Sequence, residues 1–271
     1  MNLPRSSYYY KPKEKKPDDP ILLKRIEELA EEFSRYGYRR ITAQLHREGI
    51  PVNHKKVLRL MRERGLLCKL RRRGVRTTDS THGYPLYPNL LPEGPVTVPN
   101  RVWVADITYI RIWMGFVYLA VILDLFSRKA IGYALSRNID TPLSLRALQM
   151  ALKSRNPPPG VIHHSDQGVQ YAAGDYVDTL RSHGFQISMA RKGNPYENAV
   201  VESFLKTLKT EEVYPWEYQT LADVENRVPY FIEQVYNRKR LHSSLNYQPP
   251  DEFEKMFPMN NHSNPCLTAL T

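Results

Sequence analysis

Cysteine is nearly absent from these 271 residues: there are two, Cys68 and Cys266, far apart in the chain. So distant a pair makes neither a disulfide framework nor a zinc site. Eight histidines without Cys-x-x-Cys spacing also argue against a zinc finger. Long apolar runs are missing too. Nothing approaches the roughly 18 apolar residues of a membrane span. The opening Met1-Asn2-Leu3-Pro4-Arg5 lacks the apolar centre of a signal peptide. No internal repeat and no convincing Ser-His-Asp or Cys-His set is present. The expectation is a soluble, cytoplasmic protein with no membrane partner.

Negative charge is scarce at one end only. Residues 1–76 hold 21 Lys/Arg against 9 Asp/Glu, whereas residues 77–271 hold 18 against 19. The net charge of +11 therefore comes from the first quarter. Such asymmetry implies a polyanion-binding module joined to a near-neutral domain with another task. A merely solvated basic face is the plainer alternative.

Residues 1–19, broken by Pro4, Pro12 and Pro17, read as a mobile basic arm. Tyr8-Tyr9-Tyr10 with Lys11 and Lys13 either stacks on bases and sugars or begins the first helix. Residues 20–68 read as a small all-α domain. Its first helix starts near Pro20, with Asp18 and Asp19 at the positive end. Leu22, Ile26, Leu29 and Phe33 recur at helical spacing. A second helix, residues 39–48, buries Ile41 and Leu45 and stops at Gly49. Asn53 caps a third, residues 54–64, ended by Gly65. There Val57, Leu58, Leu60 and Met61 face inward, leaving His54, Lys55, Arg59 and Arg62 outward. This is a helix-turn-helix pattern, for which a basic packing module is the alternative. Arg39, Arg40, His54, Lys55, Lys56, Arg59 and Arg62 are its candidate DNA contacts. A basic run with Arg71, Arg72 and Arg73 follows and suits phosphates. It opens a Pro-rich linker over residues 69–99.

Residues 100–258 read as a second domain, followed by a tail at 259–271. Strands are expected at 103–112, 116–126 and 129–135, with turns at Met114-Gly115 and Ser127-Arg128. Thr141 is expected to cap a helix to about 154 that buries Leu145, Leu148 and Leu152. A short strand at 161–164 delivers Asp166. A helix (175–183), a strand (186–189) and a polar loop (191–197) lead to a helix carrying Glu202. The order βββαβαβα implies a mixed sheet flanked by helices, an α/β fold.

Three acids stand out. Asp106 lies inside a β-rich apolar run, where a carboxylate is costly unless paired. Asp166 sits just past a strand end, and Glu202 follows after 35 intervening residues. On the last helix Val201, Phe204, Leu205 and Leu208 form the buried stripe. Glu202, Lys206 and Lys209 then share one edge. Converging carboxylates repel unless neutralised. A pair of Mg²⁺ ions, about 3.5–4 Å apart, relieves this and makes a site for in-line displacement at phosphorus. Lys206 and Lys209 would hold the DNA backbone beside it. His163 and His164 adjoin the site, for substrate contact or for structural hydrogen bonds; His164, Gln167 and Asn198 are the candidate supporting residues.

The words Trp103-Val-Ala-Asp-Ile-Thr-Tyr, His164-Ser-Asp-Gln-Gly-Val-Gln-Tyr171 and Gly193-Asn-Pro-Tyr-Glu-Asn-Ala-Val-Val-Glu-Ser-Phe204 resemble the DDE transposases of bacterial insertion sequences. The closest likeness is to the OrfB type of insertion-sequence family three, kin to retroviral integrases. Lys206-Thr-Leu-Lys209, the N-terminal helix-turn-helix and the segment 236–250 share it. The resemblance implies an RNase H-like core, Asp106, Asp166 and Glu202 as catalytic acids and metal ligands, and Mg²⁺, with Mn²⁺ able to substitute. It implies cleavage at element ends and transfer of the freed 3′-OH. Its partners would be double-stranded DNA, further copies of the chain, and an upstream-frame segment, separate or fused. Two other readings stand beside it: a non-catalytic DNA-binding regulator or relic, and a nuclease that hydrolyses without joining.

Overall fold

The structure is a computed structural model describing residue 9 and residues 19–68, 85–191 and 197–257. The chain divides into two compact units, Met1–Leu70 and Arg71–Thr271. Most of the N-terminal arm, the basic run with Arg71, Arg72 and Arg73, part of the linker, Pro195 and the tail lie outside the described residues.

The first unit is three short helices. In α1 (Pro20–Glu32) the Asp19 carboxylate accepts the Ile21 N–H at 2.9 Å, and Pro20 takes the first position, where its missing N–H costs nothing. Leu22, Ile26 and Leu29 face inward from it. Ile41 and Leu45 of α2 (Tyr38–Arg47) meet Val57, Leu60 and Met61 of α3 (His54–Glu63). Gly49, at φ +78°, makes the turn out of α2. Asn53 caps α3 as expected, accepting the Lys55 N–H at 2.8 Å. Leu58, expected inward, is only half-buried.

The second unit is built on a five-stranded sheet in the order β3-β2-β1-β4-β5. The strands are β1 (Val102–Ile112), β2 (Gly115–Asp124), β3 (Ala130–Ser136), β4 (Ile162–Ser165) and β5 (Gln186–Met189). The first three form an antiparallel meander; β4 and β5 run parallel to β1. Alternation along β1 serves two cores. Val102, Val104, Ile110 and Ile112 join one apolar cluster, Trp103 and Ala105 the other. Each large aliphatic side chain so buried contributes about 1.5–3 kcal/mol.

The face with Trp103 is covered by α4 (Thr141–Arg155), the one-turn α5 (Val169–Ala172) and α6 (Gly174–Ser182). The cap of α4 is Asp140, not Thr141: its carboxylate accepts the Leu143 N–H at 3.0 Å. Thr141 and Pro142 already lie inside the first turn. The residues it buries include Leu143, Ala147, Leu148 and Ala151, while Leu145 and Leu152 pack only partly buried.

The face with Val104 is covered by α7 (Ala199–Leu208) and α8 (Leu221–Tyr230). Each runs on into a π-turn, Lys209–Val213 and Phe231–Asn237. Pro229 lies inside α8, two residues before the second of these turns. A 3₁₀ turn (Ser243–Leu245) and α9 (Pro250–Lys255) close the described chain. No described helix is long and apolar enough to cross a membrane.

Candidate active site

The sheet sets two acids side by side. Parallel pairing matches Val102 with Ile162, Trp103 with His163 and Val104 with His164. The same offset brings Asp166, just past the end of β4, level with Asp106. Alternation puts Asp106 on the face of Val102 and Val104, the face under α7. Glu202 is in the first turn of α7 and exposed, while Val201, Phe204, Leu205 and Leu208 pack inward as expected. The two carboxylates from the sheet and the one from the helix thus approach from separate layers.

Their charges act on one another. The Asp106 carboxyl is pushed up to about 8, first by burial and then by the Asp166 charge, with Glu202 adding to it. The Ile107 N–H, donating to Oδ1 at 2.7 Å, and the Lys209 ammonium pull the other way. Lys209 stands 4.5 Å from the centre of the Tyr109 ring, a cation–π contact. Burial pushes its ammonium down while Asp106 opposes the shift. Lys206, a turn earlier, is exposed.

Asp166 is shaped by its own turn. Oδ1 accepts the Gly168 N–H at 3.0 Å, and the Ser165 hydroxyl donates to the Asp166 carbonyl at 3.0 Å. A Cβ on residue 168 would sit 2.9 Å from Asp166 Oδ1, so glycine alone leaves the carboxylate in place.

Three hard oxygen donors under mutual repulsion suit Mg²⁺, which prefers carboxylates and keeps several waters. Among the described residues no three His, Cys, Asp or Glu side chains stand ready-grouped for a metal ion.

Matches to known proteins follow this division of the chain. Residues 16–74 match the HTH-like domain, and residues 96–195 and 183–250 match the Integrase core domain. The transposase for insertion sequence element IS904 of Lactococcus lactis subsp. lactis (strain IL1403) is 40% identical over 247 residues, 90% of this chain and 98% of that protein. The chain belongs to the insertion-sequence transposases. Transposase InsF for insertion sequence IS3A of Escherichia coli (strain K12) is 40% identical over 221 residues, 81% of this chain and 77% of that one. The cryoEM structure of the simian T-cell lymphotropic virus intasome in complex with PP2A regulatory subunit B56 gamma has a chain with TM-score 0.50 at 14% identity. It covers 90% of this chain and 80% of its own, a likeness of fold. This transposase is therefore of the DDE type with an RNase H-like integrase core, and its activity is DNA cleavage and strand transfer.

Around the acids of the transposase, His164 is fully buried. Its Nδ1 lies 2.8 Å from Ser188 Oγ, which also accepts the Leu90 N–H at 2.8 Å. Burial holds the His164 ring neutral, lowering it to about 4. The Gln167 amide donates to the Ala190 carbonyl at 3.0 Å. Asn198 precedes α7 but makes no side-chain cap, and its buried Oδ1 has no hydrogen-bond partner among the described residues. His163 serves structure: its Nε2 is hydrogen-bonded to the Tyr176 hydroxyl at 2.9 Å, both deep in the core.

Tyr171 was not singled out by sequence reasoning, although it closes the word that contains Asp166. It is buried, its hydroxyl has no hydrogen-bond partner among the described residues, and the Asp106 and Asp166 charges bear on it. Its spacing from Asp166 was the one available signal.

In the first unit His54, Lys55, Arg62 and Arg39 are exposed, whereas Lys56 is half-buried. Arg40 lies 5.5 Å over the Tyr36 ring. Arg59 keeps its side chain exposed, at 39%, and pairs there with Glu63, one turn on, at 2.9 Å.

Proposed function

We propose that Asp106, Asp166 and Glu202 are the catalytic acids of this transposase and together hold a pair of Mg²⁺ ions, for which Mn²⁺ substitutes. The observation that carries this reading is the parallel register of β1 and β4, which brings Asp166 level with Asp106 on the face that α7, the helix of Glu202, packs against. Held by Asp106, Asp166 and Glu202, such a pair would supply activation of the attacking oxygen and charge relief at the leaving oxygen.

The chain's own residues supply the rest. Asp106 and Asp166 present oxygens from the rigid sheet; Glu202 completes the set from α7. Lys209 brings positive charge beside Asp106, where a DNA phosphate would enter, and Lys206 extends it along the exposed edge. No side-chain nucleophile is required: water attacks phosphorus at the element end and displaces the 3′-oxygen, and the freed 3′-OH then attacks a phosphorus of the target and displaces the target's 3′-oxygen. The partners are double-stranded DNA at element ends and target, further copies of the chain on that DNA, and an upstream-frame segment. The setting is the nucleoid in the bacterial cytoplasm.

The test is strand joining with a labelled oligonucleotide carrying the element's own end. Mg²⁺ with the wild-type chain is expected to yield joined product; chelation, or Glu202→Gln, is expected to abolish it and leave DNA binding intact. Joining by Glu202→Gln would sink the assignment of the acids.

The helix-turn-helix makes a separate prediction. Lys55→Ala and Arg62→Ala are each expected to weaken end binding, and each to reduce the slope of log affinity against log salt by about 1. An unchanged slope in a fluorescence-anisotropy titration would remove these residues from the interface.

A further inference from the structure

A run of hydrogen bonds leads from the turn of Asp166 to the helix of Glu202. The Ala190 N–H donates to the Ser165 carbonyl at 2.8 Å, and the Gln167 amide donates to the Ala190 carbonyl at 3.0 Å. Residue 190 is thus gripped from both flanks of Asp166. The next N–H, that of Arg191, donates to Glu197 Oε2 at 2.7 Å, and the Arg191 Nε lies 3.9 Å from Oε1. Glu197 directly precedes Asn198, where α7 begins, and its side chain is only 10% exposed.

We propose that Glu197 is a positioning residue for Glu202, fastening α7 to the Asp166 turn through Arg191 and Ala190. The inference deepens the reading of the three acids and rests on it. The physical need is plain. Asp106 and Asp166 sit on neighbouring strands whose ladder sets their spacing, but no ladder reaches Glu202. Nor does the Asn198 side chain cap α7, so its first turn lacks the usual anchor. A carboxylate bonded to a backbone N–H is a strong, charge-assisted substitute. Arg191 itself is 76% exposed, so its guanidinium contributes less than its backbone N–H.

Two readouts test this, with Glu197→Ala, Glu197→Gln and Arg191→Ala in the full chain. The first is amide hydrogen exchange of α7 without metal or DNA. Glu197→Ala is expected to speed exchange of the first hydrogen-bonded amides of α7, residues 202–205, by about tenfold, a loss of the order of one hydrogen bond to a charged group. Protection in β1 and β2 should stay unchanged. Glu197→Gln, which retains an acceptor of the same reach, should restore most of the protection, and Arg191→Ala should leave it near wild type. The second readout is the Mg²⁺ dependence of joining. Glu197→Ala is expected to raise half-saturating Mg²⁺ about 10-fold or more, as loss of a ligand-orienting group does, with DNA affinity in chelator unchanged. Unchanged exchange in Glu197→Ala, or loss of protection across the whole sheet as well, overturns the proposal. The exchange arm requires neither metal nor joining, so its failure is distinct from failure of the reading of the acids.

Discussion

Asp106→Asn is expected to abolish strand joining and, in the same protein, to raise the stability of the metal-free chain. The two effects share one cause. Burial and the charges of Asp166 and Glu202 push the Asp106 carboxyl up to about 8, far above its unfolded range. A carboxyl raised on folding contributes stability that is fully present below its unfolded value and is lost as pH rises through the folded one. Near pH 7 most of that contribution is gone. A neutral amide of the same shape avoids the loss and keeps the Ile107 N–H bond. Asp106 is only half-buried, so the expected gain is about 1–3 kcal/mol after allowance for solvent screening. The cost appears in chemistry. Losing one ligand of a catalytic metal pair forfeits several kcal/mol of transition-state stabilisation, on the order of 10³-fold in rate. Urea melts in chelator and joining assays on one preparation check both halves. A less stable Asp106→Asn that still joins ends would contradict both.

Arg155→Met is expected to have the largest effect on stability, well away from the acids. Arg155 ends α4 with its side chain 4% exposed. Its Nη1 donates to Glu254 Oε2 at 3.0 Å, and its Nη2 donates to Oε1. Ser127 and Lys129 also reach Glu254, so α9 is tied to α4 and to the β2–β3 turn. Burial alone would raise Glu254, but the Arg155 bonds overcome it and hold the carboxyl below its ordinary range. Methionine fills the space but strands that charge. The loss is expected to be about 3 kcal/mol, the low end for a broken buried pair because Lys129 remains. The sign with pH follows. A lowered carboxyl contributes stability present above its unfolded value and lost as pH falls through the folded one. The difference between Arg155→Met and wild type should therefore shrink in acid. Arg155→Met with Glu254→Gln should recover part of the loss at neutral pH. A pH-independent difference would show that packing, not charge, was lost.

The meander was legible because strand alternation and turn residues agree. Gly115 at φ +99° and Arg128 at φ +60° occupy the turns expected at Met114-Gly115 and Ser127-Arg128. The order of elements then leaves few ways to arrange a mixed sheet, and the observed one carries Asp106 on β1 and Asp166 just past β4. The one-turn α5 escaped because four residues show no helical period. Asp140 was passed over for Thr141 because either residue type makes a good cap. Neither π-turn has a local signature apart from Pro229. The stripe of α7 was readable from spacing, and so was the edge shared by Glu202, Lys206 and Lys209. That Lys209 lies on Tyr109 depends on packing between layers, which no spacing reports. The link from Ala190 through Glu197 pairs the Gln167 and Glu197 side chains with backbone groups, so no pattern of side chains alone announces it.

Counting bound Mn²⁺ by electron paramagnetic resonance tests the central claim most directly. The measurement compares the wild-type chain on an element-end duplex with Asp106→Asn, Asp166→Asn and Glu202→Gln. The account predicts a pair of ions per active site in the wild type and a loss of bound Mn²⁺ in every variant. Equal uptake by wild type and all three variants would contradict it, because the three acids would then not hold the metal.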